Sequence, residues 1–503
     1  MTVADVLATL RDVTTDRSAA AGVAGTSVVS AVTYDSRRVM PGSVFVALRG
    51  LKADGATFAA QAAARGAILI VAETPRPDDV QTPWLIVSDA RLALALLADA
   101  FHDHPSRRMK VIGVTGTNGK TTTSYLIAAI LDAAGMKAGL LGTVSYRLGA
   151  EEREASRTTP EAPDVQQLLD EMIRQGCAAA VMEVSSHALA LKRVDGMYFA
   201  AGVFTNLTRD HLDFHEDMET YFQAKRRLFD MLPATSPGVV NLDDPRGAEL
   251  LDVVSRGVSF AITRPADVTP GPLEFTLKGL SFDLRTPAGT VQINSRLVGR
   301  PNVSNILAAA ATAVALDIPL DAVAAGVAAL PGVPGRFEVV SSPKDEVTVV
   351  VDYAHTDDAL RNLLETARAL APTRLITLFG CGGDRDRTKR PLMGMVAARL
   401  SDLVVITSDN PRSEDPHRII DEIKRGIPAG VQGGRTPHVE AIVDRREAIE
   451  HAIDRAEAGD LLLIAGKGHE KYQQIGDRVL PFDDAEVARV ALERRRNRPA
   501  RTL

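Results

Sequence analysis

The stretch Val111-Ile-Gly-Val-Thr-Gly-Thr-Asn-Gly-Lys-Thr-Thr-Thr123 predicts a buried strand, a glycine-rich turn and the start of a helix. This arrangement brings several backbone N–H groups to one point, where the helix dipole also favours an anion. Lys120 adds a point charge for nucleotide phosphates, and the hydroxyl of Thr121 or Thr122 can bind Mg²⁺. The stretch therefore predicts a nucleotide site, although Val114 stands where the usual phosphate loop has its first glycine.

The rest of the chain alternates short β-branched runs with alanine- and leucine-rich stretches, a pattern typical of parallel α/β layers. The predicted buried strands are 67–72, 111–115, 180–184, 203–205, 239–242, 347–352, 375–379, 403–407 and 461–465. From about Pro270 to Val298 the alternation is shorter and predicts antiparallel hairpins. The fold class is therefore α/β.

The length of 503 residues suggests about three domains, because single domains usually have roughly 100–200 residues. Two proline-containing polar segments, 102–108 and 331–336, are predicted boundaries, because neither continues a helix. They divide the chain into predicted domains 1–106, 107–335 and 336–503.

Composition excludes several classes of protein. With 58 basic and 64 acidic residues the net charge is −6, which gives no global field for nucleic acid or for an anionic membrane. Cys177 and Cys381 form neither a disulfide framework nor a CxxC metal site, and they fit a reducing compartment. The first residues do not resemble a signal peptide, and the longest apolar stretch is shorter than the ~18 residues of a membrane span. We expect a cytoplasmic monomer without membrane insertion or nucleic-acid partner.

Further motifs accompany the phosphate loop. They are Thr158-Thr-Pro, Glu183-Val-Ser-Ser-His187, Thr205-Asn-Leu-Thr-Arg-Asp-His-Leu-Asp213, Ala224-Lys225, Gly299-Arg-Pro-Asn-Val-Ser-Asn305, Gly335-Arg-Phe-Glu338, Val351-Asp-Tyr-Ala-His355 and Gly466-Lys-Gly-His-Glu470. From about Tyr34 to Asp483 this set closely resembles the Mur ligases of peptidoglycan precursor synthesis. The resemblance implies a smaller N-terminal UDP-binding α/β domain, a central ATPase domain with a mostly parallel sheet of phosphate-loop type, and a C-terminal Rossmann-like domain that binds an amino acid.

Within that family, Asp409-Asn-Pro-Arg412 resembles the signature of members that add meso-diaminopimelate to UDP-N-acetylmuramoyl-L-alanyl-D-glutamate. The implied reaction is ADP-forming: ATP phosphorylates the D-glutamyl γ-carboxylate, and an amine attacks the acyl phosphate. Because a carboxylate oxygen is a poor leaving group, the reaction needs this activation. It also crowds anions together, so cations matter more than a nucleophilic side chain.

The resemblance implies residues for ATP and for magnesium. The ATP-binding positions are Gly116, Thr117, Asn118, Gly119, Lys120, Thr121, Thr122, Asn302, Asn305, Arg336, Asp352 and His355. The metal positions are Thr121, Glu183, His211 and Lys225, with Lys225 carboxylated to a carbamate. Lys120, Glu183, His211 and Lys225 are the implied catalytic residues. Taken singly, Glu183 could cap a helix, His211 could be structural, and Asn302 could be an ordinary helix N-cap.

The same resemblance implies the positions that bind the other substrates. Those for the UDP-sugar peptide are Tyr34, Ser36, Arg37, Arg157, Thr158, Thr159, Ser185, Leu191 and Arg193. Arg157 and Leu191 depart from the family, which commonly has asparagine and glutamine there. The amino-acid positions are Arg385, Asp409, Asn410, Pro411, Arg412, Gly466 and Glu470. Arg412 can bind a carboxylate with two hydrogen bonds, and Asp409 can receive an ammonium.

Other functions stay open at this point. The nearest alternative is the same ligase reaction with L-lysine or another diamino acid. Folylpolyglutamate synthesis shares the phosphate loop, but Asp409-Asn-Pro-Arg412 and the type of N-terminal domain argue against it. A phosphate-loop ATPase without ligase activity would turn over ATP regardless of amino acids.

Overall fold

The computed structural model describes residues 1–18, 23–50, 54–428 and 437–497. Over these ranges it has three mostly parallel sheets, of five, eight and six strands, together with smaller antiparallel sheets. This confirms the predicted α/β class. No helix in the described part of the chain combines the length and apolar character required to cross a bilayer.

The N-terminal sheet has the strand order β1-β5-β4-β3-β2, in which β1 runs antiparallel to β5 and the other pairs are parallel. Its helices cover a core of valine and leucine side chains. The elements are α1 (Val3–Thr9), β1 (Thr14–Asp16), β2 (Ala31–Thr33), β3 (Ser43–Val46), α2 (Ala59–Ala64), β4 (Leu69–Ala72), β5 (Trp84–Val87) and α3 (Ala90–Phe101).

The central sheet has the order β13-β12-β11-β6-β10-β7-β8-β9, in which β8 runs antiparallel to both of its neighbours, β7 and β9. Its elements are α4 (Pro105–Arg108), β6 (Lys110–Thr115), α5 (Lys120–Ala133), β7 (Ala138–Leu141), β8 (Ser145–Leu148), β9 (Glu151–Glu154), α6 (Ala162–Arg174), β10 (Ala179–Glu183), α7 (Ser186–Ala190), β11 (Ala201–Phe204), α8 (Met218–Asp230), β12 (Gly238–Asn241), α9 (Gly247–Leu251) and β13 (Gly257–Phe260). Because β6, β10 and β11 are parallel neighbours, the segments that follow them meet at one edge of the sheet.

Antiparallel strands follow the central sheet, as the shorter alternation predicts. They are β14 (Thr269–Pro270), β15 (Glu274–Thr276), β16 (Gly279–Thr286) and β17 (Gly289–Ser295). The helices α10 (Arg300–Ala315) and α11 (Leu320–Ala329) then pack against α5. Small alanine side chains along α10 let these helices approach closely, and their apolar faces join the core beneath β6 and β11.

The C-terminal sheet has the order β18-β19-β23-β20-β21-β22, antiparallel only between β18 and β19. The elements of this region are β18 (Glu338–Val339), β19 (Thr348–Asp352), α12 (Asp357–Ala369), β20 (Leu375–Phe379), α13 (Lys389–Leu400), β21 (Leu403–Ile406), α14 (Pro416–Lys424), β22 (His438–Ala441), α15 (Arg445–Arg455), β23 (Leu461–Ala465), β24 (Tyr472–Ile475), β25 (Arg478–Pro481) and α16 (Asp484–Arg496). The strands β24 and β25 form a separate antiparallel pair. The last residues of the predicted C-terminal domain, 498–503, lie outside the described residues.

A buried ion pair joins the starts of α15 and α16 beside two strand ends of this sheet. Arg445 and Asp484 have side chains that are 0% exposed, and Arg445 Nη2 donates to Asp484 Oδ2 at 2.7 Å. The same guanidinium donates to the carbonyl oxygens of Ser408, at 3.2 Å, and Ala465, at 3.0 Å. Because these carbonyls follow β21 and end β23, the pair fixes the loops that begin there.

Candidate active site

The turn between β6 and α5 requires glycine at two positions. Gly116 has a φ of +144°, and a Cβ there would lie 1.9 Å from Oγ1 of Thr205. Gly119 has a φ of +85°, in the left-handed region. Lys120 Nζ donates to the carbonyl oxygens of Gly116, at 2.9 Å, and Thr117, at 2.8 Å, and burial lowers the pKa of this lysine. The ammonium therefore lies in the hollow of the loop, beside the N-terminus of α5.

The loop forms one wall of a cavity of about 290 Å³. The start of α10 and the segments around β18 and β19 form the other walls. The predicted ATP-binding residues that line this cavity are Thr117, Asn118, Gly119, Lys120, Thr121, Thr122, Asn302, Asn305, Arg336, Asp352 and His355. The remaining predicted residue, Gly116, does not line the cavity, and its carbonyl oxygen accepts from Lys120 and Lys225 instead. The fold thus brings together residues that are far apart in the sequence.

The two predicted asparagines lie in the first turns of α10. Asn302 is not the N-cap, because the helix begins at Arg300 with Gly299 as its cap. Its Nδ2 donates to the carbonyl oxygen of Val298 at 2.8 Å, and its Oδ1 accepts from Asn305 Nδ2 at 2.9 Å. The pair is therefore held in a fixed orientation at the cavity wall.

Sequence reasoning missed part of the lining. Tyr353 lies within the motif 351–355, between the predicted residues Asp352 and His355. The guanidinium carbon of Arg336 lies over its ring, 4.5 Å from the ring centroid. The motif could have identified Tyr353 as a lining residue. The lining residues of α12 stand in no such motif, because their sequence shows only helical periodicity. An apolar and aromatic wall of this kind suits a nucleobase. The additional lining residues are Thr143, Asp210, Val298, Pro301, Phe337, Tyr353, Ala354, Ala359, Asn362, Leu363 and Thr366.

Glu183 ends β10 and is 1% exposed. Its carboxylate accepts from Thr121 Oγ1 at 3.1 Å, from Thr143 N at 2.8 Å and from Thr143 Oγ1 at 2.9 Å. The following helix is capped by Ser185 instead, so the helix-cap alternative for Glu183 is wrong. A carboxylate beside a threonine hydroxyl at a phosphate loop is a donor set that fits Mg²⁺, which usually takes one or two carboxylates together with phosphate oxygens.

His211 occupies a left-handed turn with a φ of +54° and lines the same cavity. Its ring packs edge-on against His187, with the centroids 4.8 Å apart. Burial lowers the pKa of His211 to about 3. The imidazole is therefore neutral at neutral pH and has a lone pair that fits a metal ion. Within the described residues, no group of three or more His, Cys, Asp or Glu side chains is arranged to hold a metal.

Lys225 lies on α8 beneath the phosphate loop and does not line the cavity. It is 1% exposed, its Nζ donates to the carbonyl oxygen of Gly116 at 2.8 Å, and the Tyr221 ring centroid is 4.4 Å away. Burial holds the pKa of this amine well below its ordinary value. A neutral amine at this position can react with CO₂, which an ammonium cannot.

The C-terminal part of the chain closes over the cavity. Arg336 Nη2 donates to Thr121 Oγ1 at 3.2 Å. Asn118 Nδ2 donates to Asp358 Oδ2 at 3.2 Å, at the start of α12. The arrangement is a closed one, in which Arg336 reaches the phosphate loop.

The N-terminal residues predicted to bind the UDP-sugar peptide lie just after β2. Ser36 is buried, Tyr34 is half-buried, and Arg37 is exposed with its side chain paired to Asp35. Burial raises the pKa of the Tyr34 phenol. The neighbouring Arg38 pairs with Asp164 of α6 at 2.9 Å, which connects this turn to the central sheet's helices.

Other predicted residues of this set continue from the cavity. Thr158 and Ser185 line it. Thr159 Oγ1 donates to the carbonyl oxygen of Glu183 at 2.9 Å and accepts from Ser185 N at 3.1 Å. The Thr159 hydroxyl therefore bonds the backbone of Glu183, the residue whose carboxylate faces the phosphate loop.

The two positions that depart from the family have different surroundings. Arg157 pairs with Glu161 at 2.9 Å, and Arg193 pairs with the same carboxylate at 2.8 Å and donates to the carbonyl oxygen of Thr159 at 3.0 Å. Glu161 therefore holds both guanidiniums, which accounts for an arginine at position 157. Leu191 is the C-cap of α7, and nothing in the structure explains a leucine there.

The predicted amino-acid residues cluster at the ends of β20, β21 and β23. Asn410 is 1% exposed, and its Nδ2 donates to Glu470 Oε2 at 2.8 Å. Gly466 has a φ of +113°, and a Cβ there would lie 2.8 Å from Asp409 Oδ2. The Asn410 side chain thus bonds another residue of the cluster, whereas the Asp409 carboxylate lies close to the backbone of Gly466.

Arg412 is presented by a tight turn after Pro411. Its φ is +50°, and its backbone pairs with the strand β24, with its N donating to the carbonyl oxygen of Gln474 at 3.1 Å. One guanidinium nitrogen, Nη1, donates to the carbonyl oxygen of Gly383 at 2.8 Å. Arg385 Nη1 donates to the carbonyl oxygen of Asp384 at 2.9 Å. The two arginines therefore belong to one cluster beside the glycine-rich loop after β20.

We predict that Gly119→Ala weakens nucleotide binding by at least about tenfold. A Cβ at this position would lie 2.3 Å from Asn305 Oδ1, and the left-handed backbone costs roughly 1–2 kcal/mol for alanine. Calorimetric titration with ADP measures the effect. Gly135→Ala is the matched control, because Gly135 has a φ of +77° after the same helix with nothing within 4 Å of its Cβ position. Equal affinities for both variants would contradict the prediction.

Comparisons with known proteins decide the family. Three family models match in order: "Mur ligase family, catalytic domain" over residues 28–102, "Mur ligase middle domain" over 114–313 and "Mur ligase, glutamate ligase domain" over 335–468. A UDP-N-acetylmuramoyl-L-alanyl-D-glutamate--2,6-diaminopimelate ligase from Gloeobacter violaceus is 49% identical over 93% of this chain and 95% of its own. The chain belongs to the Mur ligase family. As a Mur ligase, it is an ATP-dependent, ADP-forming enzyme.

Further relatives of this Mur ligase agree. The ligase of the same name from Solibacter usitatus is 49% identical over 92% of this chain and 94% of its own. A solved structure of such a ligase has a TM-score of 0.67 at 35% identity, covering 95% of this chain and 97% of that one. A folylpolyglutamate synthase from Mycobacterium tuberculosis has a TM-score of 0.62 at 18% identity over 81% of this chain and 96% of its own, which shows a shared fold.

Proposed function

We propose that this Mur ligase joins meso-diaminopimelate to the D-glutamyl γ-carboxylate of UDP-N-acetylmuramoyl-L-alanyl-D-glutamate, in peptidoglycan precursor synthesis in the cytoplasm. The observation that carries the substrate assignment is the amino-acid cluster, in which guanidiniums and carboxylates occur together at three strand ends. Such a cluster suits a substrate whose far end, the end that does not form the new amide bond, bears both a carboxylate and an ammonium. The names of the relatives support the same substrates.

The proposed reaction has two steps. The γ-carboxylate oxygen attacks the γ-phosphorus of ATP and ADP leaves; the substrate amine then attacks the acyl carbon, loses a proton and expels inorganic phosphate. Lys120 and Arg336 stabilise the negative charge that develops on the transferring phosphoryl group. Because Arg336 belongs to the closing C-terminal part, chemistry is coupled to closure.

We infer that Thr121 and Glu183 would hold one Mg²⁺ and that His211 and a carboxylated Lys225 would hold a second. When bound, these ions would neutralise charge on the phosphate oxygens. Glu183 is oriented for this role by Thr143, and His211 by its packing against His187. The boundaries 1–106, 107–335 and 336–503 are proposed for the units that bind UDP, ATP with metal, and amino acid.

The assignment predicts that phosphate release requires both the UDP-dipeptide and meso-diaminopimelate. The test omits each substrate in turn from an ATP-containing reaction. Phosphate release should fall to background in either omission, and the product should be the UDP-tripeptide by mass spectrometry. Turnover that continues without an amino acid would overturn the ligase assignment, whereas turnover with L-lysine alone would favour the alternative substrate.

A further inference from the structure

Lys467 is a buried cation at the base of the amino-acid cluster, and none of the steps above uses it. Its side chain is 0% exposed. Its Nζ donates to Asn410 Oδ1 and to Glu470 Oε2, both at 3.1 Å, and lies 5.4 Å from the ring centroid of Tyr472. A charge so deeply buried is costly unless it is paired. The ion pair with Glu470 therefore keeps this ammonium inside the cluster.

The surrounding loops hold the ammonium in place. Lys467 lies between Gly466 and Gly468, whose φ angles of +113° and +51° turn the chain back on itself. Asn410 Oδ1, which accepts from Lys467, also accepts from Gln474 N at 2.9 Å. The amide is thus fixed from the β24 side, and Lys467 cannot leave without breaking its contacts to Asn410 and Glu470.

The candidate amino acids differ by one charge at their far ends. Meso-diaminopimelate carries a carboxylate and an ammonium there, whereas L-lysine carries an ammonium alone. We propose that Lys467 is a specificity-determining residue, whose fixed ammonium occupies Glu470 and disfavours a bare far-end ammonium while tolerating a zwitterion. The inference rests on the proposed function, because it concerns the choice of amino acid in that reaction.

Two effects of Lys467 act in the same direction. Its charge repels a second cation more strongly in this buried cluster than it would in water. It also pairs with the Glu470 carboxylate, whose Oε2 accepts from both Lys467 and Asn410, and this pairing makes the carboxylate a weaker partner for a lysine ammonium. Asp409 remains for the ammonium of the zwitterion, and Arg412 for its carboxylate. Removal of the Lys467 charge should therefore help L-lysine more than it helps meso-diaminopimelate.

The test compares kcat/KM for meso-diaminopimelate and for L-lysine in Lys467→Met, which keeps the length of the side chain without its charge. We expect the preference for meso-diaminopimelate to fall by at least about tenfold, with KM for ATP unchanged within about threefold. Lys467→Arg should keep the preference. Lys471→Met is the matched control, because Lys471 is exposed four positions along the chain.

Lys467→Gln separates charge from hydrogen bonding, since its amide can still donate to Asn410 or Glu470. It should behave like Lys467→Met, and it replaces that variant if thermal melting shows that Lys467→Met does not fold. An unchanged preference in a folded, uncharged variant would overturn the inference. Failure of the wild-type enzyme to use meso-diaminopimelate would instead overturn the proposed function, so the two failures are distinguishable.

Discussion

Replacing Lys225 with alanine is expected to lower kcat by at least about 10²–10³-fold, the range seen when one electrostatic group of an active site is removed. Burial lowers the pKa of the Lys225 amine, which favours the neutral form that attacks CO₂ to form a carbamate and release a proton. Depletion of bicarbonate should therefore inactivate the wild-type enzyme, and added bicarbonate should restore it. Phosphate release measured against bicarbonate concentration tests this response.

The Lys225→Ala variant should not respond to bicarbonate. Arg226→Ala is the matched control, because Arg226 is a basic neighbour on α8 that pairs with Asp230 near the surface, and it should retain the wild-type response. A carbamate signal from labelled bicarbonate, observed by carbon-13 NMR in wild type and missing in Lys225→Ala, gives a readout independent of activity. Full activity of rigorously depleted wild type would refute carboxylation.

Replacing Arg412 with alanine is expected to lower kcat/KM for meso-diaminopimelate by roughly 10- to 150-fold. One charge-assisted contact contributes about 1.5–3 kcal/mol, and the guanidinium is placed to bind the far-end carboxylate of the substrate. Affinity for ATP should change little, because Arg412 is not part of the ATP cavity lining. Steady-state kinetics with each substrate varied in turn measure both effects.

Two comparisons sharpen the Arg412 test. Arg418→Ala removes an exposed arginine of α14 and should leave both constants near wild type. Arg412 has a left-handed backbone, which glycine adopts without the strain that alanine suffers. If the loss of activity comes from the missing guanidinium, Arg412→Gly and Arg412→Ala should therefore have the same activity. Loss of ATP affinity equal to the loss for meso-diaminopimelate would argue against a specific amino-acid role. Equal wild-type activity with L-lysine would refute the pocket as proposed.

Local sequence was sufficient for many of the strands that are buried on both faces, but the predicted set omits β3 and β7, whose residues are all buried. Val111–Thr115 and Leu461–Ala465 are continuous apolar runs, so their prediction needed no tertiary information. The antiparallel strand β9 was missed, because it consists of exposed charged residues that show no apolar pattern. The hairpin of β24 and β25 was missed for a similar reason, since its residues are largely exposed.

The candidate site was predictable where a motif fixed the residue type. Lys120, Glu183 and Asp352 stand in such motifs, and the structure brings all three to one cavity. The environment of Lys467 was not predictable, because its partner Asn410 belongs to a different loop and only the pairing of β20 with β21 and β23 brings the two together.

The sequence by itself determined the α/β class, the phosphate loop and the resemblance to the Mur ligases, because these depend on residue types at short spacings. Only the tertiary structure decided that Lys225 is a buried amine under the loop, that Glu161 holds Arg157 and Arg193, and that Lys467 is paired inside the amino-acid cluster. Burial and charge pairing arise between segments distant in the chain. Their energies depend on distance and solvent exclusion, which a linear sequence does not contain.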